Sequence, residues 1–495
     1  MAERPLRIGF LGAGLIATHH SKSIRRAEPS LPFAIERAGV FDPDRGRARA
    51  FADASGHVVV DDERAVVESA DAVWVCTWTS EHERLVTMAA EAGRAVFCEK
   101  PLAPDLDGAR RIADVLKRTG VVNQVGLILR RSPAYLWARR LVNDPTAGRV
   151  MSVVFRDDQF IPVQGHYAST WRADPSRAGA GTLLEHSIHD VDMLRAVVGP
   201  IGAVSARAAH FHGIDGIEDV VSATFAFEPG PAVGSLNSIW HDNLARPSLR
   251  RVEIFCERRL VVVEGDWLGP VTWTDHDGGS GRLEGDELVA ASAALVPGEA
   301  NPDAAFLRAV AAGEPAHPDA LVALRAHEVV DAAYRSAWAD GDSVRVGAVS
   351  FRRATTAEVR PLRLDVLRHG MTNRTVDFDG DDDPGTTHLV AVDHRDRIVA
   401  TSTWLRRDTN HAPRRAALQL RGMATERVLQ GTGLGGRLLL RGLEHARAEG
   451  AEIAWANARD AALDFYLRHG FEVVGDGFIE PVTRLPHHVV IAELR

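Results

Sequence analysis

Lysine is almost missing from this sequence. Of its 58 basic residues only Lys22, Lys100 and Lys117 are lysines, so arginine does the ordinary surface work. A lysine retained in such a chain stands out as an ammonium with chemistry to perform. Cysteine is as scarce, and Cys76, Cys98 and Cys256 lie too far apart for a disulfide framework or a zinc motif. No apolar run reaches the roughly 18 residues of a membrane span. The N-terminus runs straight into a strand pattern with no signal peptide ahead of it. These absences predict a cytoplasmic protein without a membrane partner. A basic block is also lacking and the formal net charge is −9, which argues against nucleic acid as the main partner.

What is present is ample for more than one core. The chain has 495 residues, 45% hydrophobic and 25% charged, which fits two or three globular domains. Residues 1–122 alternate apolar runs ("LRIGFLGAG", "ERAGVFD", "DAVWVCTW", "RAVFCEK") with helical stretches, the pattern of a parallel, doubly wound α/β sheet. From residue 123 to 345 the runs read as an open antiparallel sheet of α+β type. A helix is expected near 182–198 and more helical pattern at 301–339. Residues 346–360 read as a linker. Residues 361–495 form a new α/β pattern with helices expected at 434–449 and 459–469.

Gly12, Gly14 and Ala17 make a G-x-G-x-x-A turn between the first strand and the first helix. Such glycines let the backbone approach a pyrophosphate, and the helix start supplies amide donors and a positive dipole end. Asp42 ends the second strand and is placed to accept both ribose hydroxyls, which favours NAD. Arg45 and Arg47 beside it keep NADP possible. The alternative is a glycine turn that binds nothing.

"CEKP" (98–101) follows the fourth strand, where open α/β sheets bind their ligands. Further on, "GAGTLLEHSIHDVD" (179–192) crowds a glutamate, two histidines and two aspartates. On one helix Glu185 and His189 would share a face. A histidine with Lys100 nearby suits proton transfer from a secondary alcohol. Asp192 on the same flank would allow a metal, but no further ligand is evident and none is expected. His186 and Asp190 fall on other faces and read as structural. His166 and Trp171 give a polar–aromatic loop for a polyol, and Arg130 is a candidate contact for an anionic substrate.

Residues 1–345 resemble the Gfo/Idh/MocA oxidoreductases: G-x-G-x-x-A, "DAVWVCTWTSEH", "EKP" and "G-x-G-x-x-x-E-x-S-x-H-D-x-D" come in that family's order. The resemblance implies a Rossmann domain joined to an open-sheet domain, and NAD(P)-dependent oxidation or reduction of a hydroxyl or ketone on a sugar, cyclitol or related molecule. It implies Lys100 as the lysine that touches the substrate hydroxyl, His189 as acid/base and Glu185 as its neighbouring carboxylate. It also implies Leu15, Ile16, Thr77, His82, Glu99 and Lys100 beside the cofactor, with Gly12, Gly14, Ala17 and Asp42. The chain departs from the family pattern at Glu185, Ser187 and Trp78. A dimer or tetramer is expected, because sheets of this family often associate face to face.

A second glycine turn follows the strand "AALQLRGMAT". Gln430, Gly431, Gly433, Gly435 and Gly436 put free amides at a helix start, another pyrophosphate cradle without a Walker lysine. With "WANARDAALDFYLRHGFEVVG" downstream, residues 361–495 resemble the GNAT acetyltransferases. The resemblance implies acetyl-CoA held by Gln430, Gly431, Gly433, Leu434 and Gly435. Its pantetheine arm would lie along Met423, Ala424 and Thr425 and near Asn457, and Tyr466 would protonate the leaving thiolate. The base that takes the amine proton is open among Glu426, Glu480 and His487.

The expectation is therefore a bifunctional protein: an NAD(P)-dependent oxidoreductase fused to an acetyl-CoA-dependent N-acetyltransferase, both acting on small molecules. Two alternatives stand beside it. One is a dehydrogenase whose GNAT domain only senses acetyl-CoA; the other is a non-enzymatic NAD- and sugar-binding regulator.

Overall fold

A computed structural model describes residues 4–165, 167–295 and 301–494. The chain divides into two units, the first ending at Gly347 and the second beginning at Ala348. Among the described residues no helix is long and apolar enough to cross a membrane, and the three cysteines are free and buried.

The first unit begins with a six-stranded parallel sheet. Its order is Val58–Val59, Ile35–Phe41, Leu6–Leu11, Ala72–Val75, Ala95–Cys98, Asn123–Val125. The order reverses beside Leu6–Leu11, and a crevice opens there at the carboxyl ends of the strands. Continuous apolar runs are what a sheet covered on both faces requires. Ile8, Phe10, Val40, Trp74 and Phe97 fill its core. Aspartates start the flanking helices: Asp44, Asp62 and Asp105 each accept a backbone N–H of the first turn.

The same unit carries a second, nine-stranded sheet. It runs Ser280–Leu283, Val271–Asp275, Arg259–Glu264, Leu249–Cys256, Val150–Phe160, Val233–His241, Val220–Phe227, Ile201–Ala209, Val344–Arg345. It is antiparallel except where Val150–Phe160 meets Val233–His241. The expected break at residue 122/123 is crossed in both directions. The Pro302–Ala312 helix returns to the parallel sheet, where Phe306 and Leu307 join its core. In the Ala320–Trp338 helix, His327 Nε2 accepts a hydrogen bond from the Leu102 N–H.

The second unit is a seven-stranded sheet ordered Ser350–Ala354, Thr387–Val392, Ile398–Arg406, Ala417–Thr425, Ile453–Arg459, Pro486–Glu493, Glu472–Ile479. Residues 346–360 are not the linker expected. Ser350–Ala354 pairs with Thr387–Val392 as an edge strand, and a capping box of Thr355 and Glu358 starts the Thr356–Leu367 helix. Arginine-rich, polar sequence disguised this strand, since an edge strand needs only one buried face.

Candidate active sites

The first glycine turn is held from two sides. Gly12 has φ of 92°, and a Cβ there would lie 2.4 Å from the Cys76 carbonyl oxygen, so only glycine fits. Asp42 Oδ2 accepts the Ala13 N–H at 2.9 Å and Oδ1 accepts the Asp44 N–H at 2.9 Å. Asp42 thus shapes the turn, and each oxygen keeps a lone pair for a ribose hydroxyl. Arg47 stands 3.6 Å from it. Gly14 starts the Leu15–Ala27 helix with open space where a Cβ would point, and Leu15 and Ile16 are exposed there while Ala17 is buried. An exposed apolar pair beside unspent helix amides fits a dinucleotide.

Glu99 and Lys100 are adjacent in sequence and face different tasks. Glu99 is buried, and its Oε1 meets His20 Nε2 at 3.0 Å; His20 Nδ1 meets Asp303 Oδ1 at 2.7 Å, which also accepts from Trp74 Nε1 at 2.9 Å. Burial alone would lower the His20 pKa, but the two carboxylates outweigh it and raise it to about 10. Glu99 therefore anchors its turn. His82 is likewise buried and bonds the Pro101 carbonyl through Nδ1 at 2.9 Å. It secures the lysine turn.

Lys100 reaches the other way, across to the second sheet domain. Its Nζ donates to the Glu185 carbonyl at 2.5 Å, and burial lowers its pKa from the ordinary lysine value. The helix expected over 182–198 is broken. Thr182–Glu185 ends at His186, and Ile188–Val197 begins after Ser187. Glu185 and His189 consequently do not share one helical face. The Glu185 carboxylate accepts Thr79 Oγ1 at 2.8 Å and pairs with Arg172 Nε at 3.1 Å, so it is not the partner of His189 that was expected. Ser187 explains the break: its Oγ donates to Asp157 Oδ2 at 3.0 Å, tying the chain to the sheet.

His189 is 9% exposed. Burial, then the Lys100 and Arg250 charges, hold its pKa well below the ordinary histidine value. It is a neutral imidazole. Its Nδ1 is sealed without a hydrogen-bond partner, which leaves Nε2 as the nitrogen to meet a ligand. Beneath it, Arg250 bonds Asp190 (2.8 Å), Asp266 (2.5 Å) and His186 (3.0 Å). Burial would raise the Asp157 pKa, but His186 and Arg250 hold it low, whereas Asp190, buried against Asp157, is raised. His186 and Asp190 are structural, as expected.

Two expected substrate contacts are otherwise engaged. Arg130 clasps Asp192 with two bonds of 2.6 and 2.7 Å, so its charge is spent inside the fold. Trp171 packs on a cluster of Ile161, Ala178, Ile217 and Trp240, with Arg172 4.3 Å over its ring. His166 lies outside the described residues. Trp78 carries Arg177 at 3.9 Å over its ring, and Thr77 is half-buried against Gly12. Thr79, His20 and Asp303 complete the constellation without a sequence signal, because their partners lie far away in the chain.

In the second unit, strands Ala417–Thr425 and Ile453–Arg459 run parallel and pair only as far as Leu420 and Ala456. Beyond that they part, leaving Met423, Ala424 and Thr425 on one arm and Asn457 on the other. Gln430 Nε2 donates to the Thr425 carbonyl at 3.0 Å, closing the turn. Gly431 and Gly433 have φ of 86° and 83° with open space around them, and Leu434 is buried at the start of the Leu434–Ala448 helix. Gly435 lies against Thr425 and Met423. A strand gap ending at bare helix amides suits a pyrophosphate with a long flexible arm. Tyr466 is buried among Phe465 and Phe471, and burial raises its pKa to about 12. Glu426 is bound to Arg397 at 2.9 Å. Glu480 accepts from the Thr483 N–H and hydroxyl. His487 sits directly across the ladder from Arg459, its Nδ1 bonded to the Leu485 carbonyl at 2.9 Å.

Comparison with known proteins agrees with this fold. Residues 6–127 match the family model of the oxidoreductase family with NAD-binding Rossmann fold, and residues 135–262 match the GFO/IDH/MocA C-terminal domain. Residues 384–473 match the acetyltransferase (GNAT) domain. The chain is 31% identical over 201 residues to scyllo-inositol 2-dehydrogenase (NAD(+)) of Bacillus subtilis, covering 40% of this chain and 55% of that protein. It is 32% identical over 210 residues to inositol 2-dehydrogenase of Rhizobium meliloti, 41% of this chain and 58% of that one. The chain thus spans little more than half the length of these curated relatives. In three dimensions it resembles levoglucosan dehydrogenase in complex with NADH, with a TM-score of 0.61 at 23% identity, over 69% of this chain and 99% of that one.

Proposed function

Because the chain belongs to the GFO/IDH/MocA oxidoreductase family over residues 6–127 and 135–262 and carries a GNAT acetyltransferase domain over residues 384–473, we propose that it is a bifunctional enzyme. Its first unit oxidises or reduces a secondary hydroxyl or ketone of a cyclitol or sugar with NAD. Its second unit transfers acetyl from acetyl-CoA to an amine. One observation carries the first half: Lys100 Nζ reaches the Glu185 carbonyl, four residues before His189, and its charge helps hold that imidazole neutral.

NAD, when bound, supplies the hydride acceptor. Lys100 donates to the substrate oxygen and holds it, exchanging its bond to the Glu185 carbonyl for one to the ligand. His189 Nε2 takes the hydroxyl proton on oxidation and returns it on reduction. Arg172 and Thr79 fix Glu185, and through it the carbonyl that aims Lys100. In the second unit acetyl-CoA, when bound, supplies the thioester. Tyr466, protonated at every physiological pH, holds the proton for the leaving sulfur. His487 Nε2 is the base we favour, because Nδ1 is fixed and Glu426 is tied to Arg397. Self-association through the outer face of the nine-stranded sheet, where Val154, Val233 and Phe255 are exposed, is part of this reading.

The test is a 340 nm screen of inositols, sugars and levoglucosan with NAD and NADP, run with Lys100→Ala beside the native protein. Turnover of one such alcohol, falling by about a thousandfold in the variant while NADH still binds, is expected. Undiminished turnover by Lys100→Ala would refute the assignment. For the second unit, Tyr466→Phe separates transfer from sensing. Thiol release should drop steeply with acetyl-CoA affinity intact, and an unchanged rate favours the sensing alternative.

A further inference from the structure

Past Leu420 and Ala456 the gap between the two parted strands opens on two faces. On one face Leu418 and Leu420 pack against Leu439 and Leu443 of the Leu434–Ala448 helix, whose start is the bare glycine turn. Side chains alternate along a strand, so Arg421 points to the opposite face. Its guanidinium stands 4.7 Å from the Phe378 ring centre and donates to the Asp379 carbonyl at 2.8 Å. From the other arm Arg459 donates to the Leu367 carbonyl at 3.0 Å, at the end of the Thr356–Leu367 helix. Arg368, next in the chain and only 4% exposed, donates to the Thr375 carbonyl at 2.8 Å and lies 5.7 Å from the Phe378 ring centre.

The arginines around them have carboxylate partners. Arg363 pairs with Asp381 (2.6 Å), Arg360 with Asp377 (2.5 Å) and Arg407 with Asp379 (2.8 Å). Among the described residues, Arg368, Arg421 and Arg459 have no carboxylate at ion-pair distance; each is bonded to backbone carbonyls instead. Burial lowers the pKa of all three; Arg407 and Arg363 add to it for Arg421 against the opposing pull of Asp381 and Asp379, and Arg368 adds to it for Arg459. Glu480 is the carboxylate that acts on both Arg368 and Arg459. Sunken cations short of counter-charge are a cost to the fold and a gain for an anionic ligand that neutralises them. His487, across the ladder from Arg459, belongs to the same face.

We propose that the acetyl acceptor of the second unit is an amine that also bears a carboxylate or a phosphate. Arg421, Arg459 and Arg368 hold that anion on the face opposite the glycine turn, which leaves the amine at the gap where the thioester arrives. The inference rests on the transferase reading above.

Two measurements on the full chain test it. The first titrates inorganic phosphate by calorimetry with saturating NAD and CoA, so that both glycine turns are filled. Saturable binding that weakens at least tenfold in Arg421→Gln and in Arg459→Gln is expected, with the unfolding midpoints unchanged. No saturable binding, or binding indifferent to both variants, overturns the site. The second follows thiol release with matched amines: an amino sugar against its 6-phosphate, and glutamate against its diamide. At least a hundredfold preference for a charged member supports the proposal, and which pair shows it distinguishes phosphate from carboxylate. Equal or better use of the neutral members overturns it. Failure of acetyl-CoA to bind removes the transferase reading instead, and with it this one. Phosphate binding lost in the variants would then show an anion site of another purpose.

Discussion

The two glycine turns of this chain present the same ligand-facing chemistry and are built on opposite constraints. At Gly12 the turn is clamped: a Cβ would strike the Cys76 carbonyl at 2.4 Å, and Asp42 holds the Ala13 N–H from the other side. At Gly433 nothing lies within 4 Å of a notional Cβ, and only the φ of 83° calls for glycine. One glycine is required by its neighbours, the other by its own backbone. The sites beyond them differ in the same sense. Around Lys100 each carboxylate has a fixed partner in the fold, down to His20 beneath Glu99. Around Arg421 the charges have been left for a ligand. A shared signature in sequence therefore does not imply a shared mechanical role.

Gly12→Ala should break the comparison most visibly. Overpacking and a strained φ together cost about 4 kcal/mol, felt as a loss of stability of the first unit in urea. Gly433→Ala should cost about 1–2 kcal/mol, read mainly in acetyl-CoA affinity. Equal losses of stability from the two variants would show that the difference between the turns is not mechanical.

His20→Ala comes next. It strands the buried carboxylates of Glu99 and Asp303, a loss of about 3 kcal/mol. The native protein should also carry a pH signature. The folded pKa of His20, about 10, lies above its unfolded value of about 6.5. Its contribution is therefore complete below pH 6.5 and drains away as pH rises toward 10. Urea midpoints across that range should fall in the native protein and fall less in His20→Ala. A parallel decline in both would mean that His20 is not the protonated link.

Why these features escaped the sequence is instructive. The Rossmann strands, the glycine turns and the lysine turn were legible because each is a local pattern: alternating elements, fixed spacing, a strand leading into a turn. The same holds for the helix that follows the second glycine turn. What was not legible depends on distance in the chain. Asp303 meets His20 across 283 residues. Arg130 reads as a free cation until Asp192 is seen beside it. The break after Glu185 looks helical residue by residue, and it is the Ser187 bond to Asp157 on a distant strand that forces it. The edge strand at Ser350–Ala354 resembles a linker because its outer face is polar. Arg368, Arg421 and Arg459 are three among many arginines, and what singles them out is their place around one strand gap, bonded to backbone carbonyls rather than to carboxylates.

The smallest expected effect is a flat line, and it sharpens the comparison furthest. In the first site burial lowers the pKa of both proton carriers: His189 falls well below its ordinary value, away from neutrality, and Lys100 falls below the usual lysine range. Between pH 6 and 8 His189, held well below its ordinary value, remains a base, so kcat/KM for alcohol oxidation should change by less than about twofold. In the second site Tyr466 stays protonated with a pKa of about 12, and the acceptor amine must lose its proton before it attacks. Thiol release should then climb over the same interval as the amine loses its proton. Measured on one preparation, the two activities should part with pH. A histidine-like rise near pH 6.5 in the oxidation would mean that solvent reaches His189, and that the sealed character assigned to the first site is wrong.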